Sequence, residues 1–149
     1  MRKGRWAAVA AIPIGIAGTL ACVGMIGFFT WFGTSTVLLS SADVGQCMNV
    51  DDFSGSHDAT LWKKDCDEAH DAEVAVTDSF DRDQLTRLDD IGDDAFCASL
   101  FGDKYASAYA TGDYDVDLVY EASEPDVDDD FLCFLERADG DKLDEAIGG

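Results

Sequence analysis

Residues 6–32 read WAAVAAIPIGIAGTLACVGMIGFFTWF, and no charged side chain interrupts them. Arg2, Lys3 and Arg5 stand before the run, and the next charged residue is Asp43. About 20 apolar residues in a helix cross the roughly 30 Å hydrocarbon core of a bilayer, so the run is long enough to span with some tilt. A soluble core helix would carry a polar face, and this run has none. The sequence predicts a transmembrane anchor over 6–32 whose partner is the lipid bilayer. The basic residues keep 1–5 in the cytoplasm and put the C-terminal part outside. Trp6 and Trp31 lie near the two ends, where indole favours the interface, and Pro13 and the interior glycines are tolerated in membrane helices.

Two other leaders fit less well. A cleaved signal peptide has a shorter apolar region of about 7–15 residues. A lipoprotein signal would end at Cys22, but Thr19-Leu20-Ala21 only half resembles a lipobox, and the following VGMIGFFTWF is no polar tether. Cys22 therefore reads as a small apolar residue within an uncleaved signal-anchor. Small residues at Ala7, Ala11, Gly15 and Thr19 form a stripe that lets helices approach, though such residues are common in membrane spans generally.

Beyond a short juxtamembrane link at 33–42, the sequence predicts one small domain over 43–137 and a mobile, charged tail over 138–149. All 31 acidic residues follow the apolar run, against seven basic ones (Lys63, Lys64, Arg82, Arg87, Lys104, Arg137 and Lys142), a balance of −24. Such a field excludes nucleic acid as a partner and repels anionic head groups. It attracts divalent cations weakly, or a basic partner, and it keeps the domain soluble. Apolar and aromatic residues are plentiful enough for a core.

Four cysteines follow the run, at Cys47, Cys66, Cys97 and Cys133. Their spacing matches no zinc motif, and an even number in an oxidising compartment implies two disulfides. Spacing alone leaves three pairings open. The strand pattern selects Cys47–Cys66, across a hairpin, and Cys97–Cys133, between a helix and the sheet beneath it. Each closure contributes roughly 3 kcal/mol.

Val44–Val50 alternates as a first strand, 51–60 is rich in turn formers, and 61–66 suits a second strand. Residues 70–78 alternate again, with Ala72, Val74 and Val76 inward and Asp71, Glu73 and Thr77 outward. A polar link over 81–90 leads to one main helix, starting near Asp89 or Asp90 and weakened at Gly102. Tyr114, Val116, Leu118 and Tyr120 then share one face of a fourth strand, and Phe131–Arg137 form a fifth. The fold class is α+β, about five strands and one main helix braced by two disulfides.

Little of this carries chemistry. Ser56-His57 are neighbours in a loop, and no nucleophile motif is present, so no catalytic residue and no cofactor is assigned. His70 and Glu73 suggest metal binding or acid–base work, but in one strand they face opposite sides, and a local hydrogen bond from His70 after Cys66 is the simpler role. Asp126, Asp128, Asp129 and Asp130 lack the Gly and Glu that an EF-hand requires, and no metal ligand is assigned. Asp113, Asp115 and Asp117 read as a solvated strand face.

The domain resembles the bacterial septum-formation domain family. That resemblance rests on Gly45-Gln46-Cys47 and on the run from Cys66 through His70 and Asp71 to Glu73-Val74, followed by Cys97, the Ser123-Glu124-Pro125 stretch and Cys133. Ala69 replaces the Pro that commonly precedes the motif His. The Trp and Gly-Asp pair that often lead into the last cysteine are missing. The resemblance implies a membrane-tethered, extracytoplasmic envelope protein, not an enzyme, that acts through an envelope protein partner and is connected with septum formation. The alternative is an acidic surface domain that binds a cation or ligand.

Overall fold

The computed structural model describes residues 5–51 and 59–148, and the side chains of these except at 5–14 and 32–34. The chain divides into two compact units, Met1–Ser35 and Thr36–Gly149. The first holds helix α1, Arg5–Ser35. Its side chains at 15–31 are all exposed, Ser35 at its end is half-buried, and Cys22 is a free thiol. The hydroxyls of Thr19 and Thr30 donate to the carbonyls of Gly15 and Ile26, so each is satisfied within the helix. Among the residues whose side chains are described, which in α1 are only 15–31 and Ser35, no helix is long and apolar enough to cross a membrane. The side chains of Trp6, Ala7, Ala11 and Pro13 lie outside the described set, as do residues 52–58 of the first hairpin loop, Ser56 and His57 included.

The second unit is α+β. Its five strands are β1 (Cys47–Asp51), β2 (Thr60–Lys64), β3 (Ala72–Ser79), β4 (Tyr114–Tyr120) and β5 (Asp130–Arg137). They form one antiparallel sheet in the order β2-β1-β3-β5-β4. Both faces are covered. One carries the helices, with Phe80, Phe96, Leu88 and Tyr105 packed on Val116, Leu118, Phe131 and Leu135. Phe80 and Phe131 stack there with ring centroids 4.3 Å apart. The other face buries Val37, Met48, Leu61, Val74, Val119, Leu132 and Phe134.

Val37 corrects the expected boundary. It is buried, and its N–H donates to the carbonyl of Leu61 at 2.8 Å. The segment expected to link anchor and domain is thus the cover of one sheet face, and the domain begins at Thr36. A β-bulge at Ala75, between the paired Val74 and Val76, changes the phase of β3. Ala72 and Val74 therefore face one core while Ala75 and Val76 face the other, and the expected single inward row does not hold.

Three helices replace the expected single one: α2 (Arg82–Ile91), α3 (Asp93–Leu100) and α4 (Asp103–Tyr109). α2 occupies the stretch expected to be a link. It starts at a reciprocal capping box, in which Asp81 accepts from the N–H of Gln84 and Gln84 accepts from the N–H of Asp81. Its surface is mostly polar, with Leu85, Leu88 and Ile91 at three-residue spacing, of which Leu88 is buried and Leu85 packs at the edge of the core. Gly92, at φ +80°, makes the joint to α3, and the expected weak point near Gly102 is the joint between α3 and α4.

Both expected disulfides are present, Cys47–Cys66 with Cα atoms 5.2 Å apart and Cys97–Cys133 with 5.8 Å. The tail expected to be mobile is docked. Leu143 and Ile147 are buried, and Leu143 exchanges both backbone hydrogen bonds with His70.

Candidate functional site

Glu73 is the second residue of β3, with Cys47 of β1 opposite it on one side and Leu135 of β5 on the other. At Ala72 and Glu73 the strand is paired on both sides within a sheet covered on both faces, which leaves no solvated position there, so the outward assignment of Glu73 is corrected: its exposure is 0%. The carboxylate is held by groups from two distant segments. Its Oε1 accepts from the Tyr105 hydroxyl at 2.6 Å and from Lys104 Nζ at 3.0 Å, both on α4. Its Oε2 accepts from the backbone N–H of Ile147 at 2.6 Å. Cys47 Sγ lies 4.0 Å from the same oxygen, a contact only, since a disulfide sulfur has no proton to donate.

The charge of Glu73 is balanced by a Lys104 side chain that is 42% exposed and also lies over the Tyr105 ring, 4.8 Å from its centroid. Burial, then the hydrogen bond and charge of Glu73, raises the Tyr105 phenol above its ordinary value. The hydroxyl is held as a donor. Gly45 completes this wall. It has φ +90°, and a Cβ there would stand 3.6 Å from the Tyr105 hydroxyl. Its N–H donates to Val74, and Val74 in turn donates to Gln46.

His70 precedes β3 and is also fully buried. Its Nδ1 lies 2.7 Å from the carbonyl of Glu68, which is the expected local hydrogen bond and fixes the Nδ1 proton. Nε2, the other ring nitrogen, has no hydrogen-bond partner among the described residues. The expectation that His70 and Glu73 point apart is corrected. Because His70 lies outside the strand, one potential ligand atom from each of Cys47, His70 and Glu73 comes within 4.8 Å of the others. All six motif residues are thereby gathered in one region: Gly45, Cys47, Cys66, His70, Glu73 and Val74. Sequence reasoning missed their companions Lys104, Tyr105, Leu143 and Ile147. The apolar pair Leu143 and Ile147, four apart in a charged tail, was the available signal.

The acidic stretches expected to be solvated behave differently from one another. Asp126 and Asp129 close a turn through Asp126 N–H to Asp129 Oδ2, with Asp128 at φ 72°, and the turn is tied to the backbone of Phe80. Its acids serve their own loop. Asp115 lies opposite Glu136 across β4 and β5, and Asp117 is its diagonal neighbour. Burial, then the charge of Asp117 and a hydrogen bond to it, then the smaller effects of Asp115 and Asp71, pushes Glu136 up to about 7. Burial likewise raises Asp117, while the hydrogen bond from Glu136 opposes that rise. Glu136 is thus the proton donor of the pair.

This pair gives a pH dependence opposite to that of ordinary carboxylates. Glu136 is raised in the folded chain from an ordinary 4.5 to about 7. Its contribution to stability is complete below its unfolded pKa and is lost as pH climbs through the folded one. Between about pH 5 and about pH 8 the melting temperature of the wild type should fall by a few degrees relative to Glu136→Gln, since the amide cannot ionise. Melts across that range check it, and parallel curves for the two proteins would refute the shared proton.

Compared with known proteins, the chain matches no family model, no curated protein and no solved structure.

Proposed function

We propose that the chain is a single-pass membrane-anchored protein whose acidic domain lies outside the cytoplasm and acts by binding another envelope protein, in the setting of septum formation. The observation that carries the anchor is α1. Its 31 residues reach about 46 Å at 1.5 Å per residue, more than the hydrocarbon core requires. Ile16, Leu20, Val23, Ile26, Phe28 and Phe29 are all exposed on it, a surface that water disfavours and lipid accepts. The orientation rests on Arg2, Lys3 and Arg5 before the helix and all the acids after it. Two disulfides favour an oxidising compartment for the domain.

The septation setting rests on the motif resemblance. What supports it is that the motif positions serve one buried assembly, with Gly45 beside the Tyr105 hydroxyl and Cys47 opposite Glu73. Such an assembly gives the spacing a physical reason. It binds groups within the chain and leaves the exposed acidic surface for a partner of opposite charge.

Tags at the two termini test the topology. A C-terminal tag on intact cells should be reached by external antibody and protease, and an N-terminal tag should be reached only after lysis. External access to the N-terminal tag would overturn the orientation, and release of the chain by carbonate or high salt would overturn the anchor.

A further inference from the structure

We propose that the Cys47–Cys66 disulfide masks a metal site: on reduction, Cys47, Cys66, His70 and Glu73 become four ligands for zinc(II). This inference is independent of the anchor. It starts from two observations. His70 Nε2 is buried with no hydrogen-bond partner among the described residues, in a side chain whose other nitrogen is held by the Glu68 carbonyl. That arrangement, one ring nitrogen fixed by a carbonyl and the other offering its lone pair, is how a metal-binding imidazole is oriented. Second, one potential ligand atom each from Cys47, His70 and Glu73 lies within 4.8 Å of the others. Zinc bond lengths of about 2.0–2.3 Å set tetrahedral ligand separations of about 3.3–3.8 Å, so side-chain adjustments of the order of 1 Å suffice for these three, and Cys66, bonded to Cys47 in the bridge, joins them by turning its side chain once the bridge opens.

In the oxidised chain the site is closed, because a disulfide sulfur is a poor ligand and only His70 and Glu73 remain. Opening it takes two electrons and two protons from a dithiol, which itself becomes a disulfide while the Cys47–Cys66 bond breaks. Zinc(II) then displaces the two thiol protons and binds two thiolates, imidazole Nε2 and the Glu73 carboxylate. The balance is one negative charge, and Lys104 Nζ, 3.0 Å from Glu73, stands where it offsets that charge. The two disulfides differ in reach. Cys66 is only half-buried, whereas Cys97 and Cys133 are fully buried, so a small dithiol meets the first bridge before the second.

Cobalt(II) is the probe, applied to the full chain carrying Cys22→Ala to remove the free thiol. After mild dithiol treatment and its removal, with mass mapping to establish that Cys97–Cys133 stays closed, cobalt should give tetrahedral bands and thiolate-to-metal charge transfer at one ion per chain. The oxidised chain should give neither, and zinc should displace the cobalt. His70→Gln should weaken binding at least about tenfold. X-ray absorption on the zinc-loaded Cys22→Ala chain requires no further variant and should find two sulfurs and two lighter ligands. Absence of the bands after reduction, equal binding by the oxidised chain, a shell of four sulfurs, or unchanged affinity in a folded His70→Gln chain would each overturn the site.

Discussion

Replacing Glu73 by alanine should destabilise the C-terminal domain by about 3–5 kcal/mol, much of what a domain of this size has. The loss comes from the partners more than from the carboxylate. The Tyr105 hydroxyl and the Ile147 N–H, each donating at 2.6 Å, would be left buried without an acceptor. Lys104 is 42% exposed and can turn to water, so its share is small. Tyr105→Phe removes one of the two buried donors together with its bond and should cost about 1.5–3 kcal/mol. The double variant should cost less than the two single losses combined, because the orphaned hydroxyl is gone. Urea titrations of the three variants check this. A loss below about 1 kcal/mol for Glu73→Ala would mean that water replaces the partners, and that the carboxylate does not tie α4 and the C-terminal segment to the sheet.

The second large effect belongs to the buried bridge. Cys97 and Cys133 are 36 residues apart in sequence, and closing such a loop removes enough unfolded-state entropy to stabilise by about 4 kcal/mol. Converting both to alanine should lower the melting temperature by roughly 20 °C. Alanine is the appropriate replacement, since serine would bury two hydroxyls among Phe96, Phe131 and Leu118. Opening the 19-residue separation of Cys47 and Cys66 should cost less, for the loop is shorter and Cys66 is already half-exposed. Thermal melts of the two double variants rank the bridges. The reverse order would show that the packing around each bridge, rather than the loop it closes, sets its contribution.

Both pairings were legible in the sequence because each followed from a neighbour relation that elementary geometry enforces: a hairpin that brings the chain back beside β1, although Cys47 stands opposite Lys64 and Cys66 lies just past β2, and a helix face lying on a sheet. Glu73 was not legible for a related reason. Alternation distinguishes inside from outside only where one face of a strand meets water. Where Glu73 stands, β3 is paired on both edges and covered on both faces, so its carboxylate had to find partners from distant parts of the chain. Nothing local to Glu73 names Lys104, Tyr105 or Ile147. α2 failed differently. Its local signals were the cap, Asp81 to Gln84, and a short stripe of Leu85, Leu88 and Ile91 on an otherwise charged segment that reads as a polar link. The convergence of His70 with Glu73 depended on where β3 begins, and strand ends are the part of a pattern that side-chain type constrains least.

The sheet order has a consequence for how copies of the chain meet. β4 is an edge, paired only with β5, and an edge strand is a template on which another chain can add. Asp113, Asp115 and Asp117 alternate along it, with Asp93 and Asp94 at the start of α3 near enough for their charge to be felt at Asp117. A second β4 docking antiparallel would bring aspartates against aspartates at the distance where like charges repel most. The carboxylates that crowd one another within a single domain therefore also keep neighbouring domains from adding strands to one another.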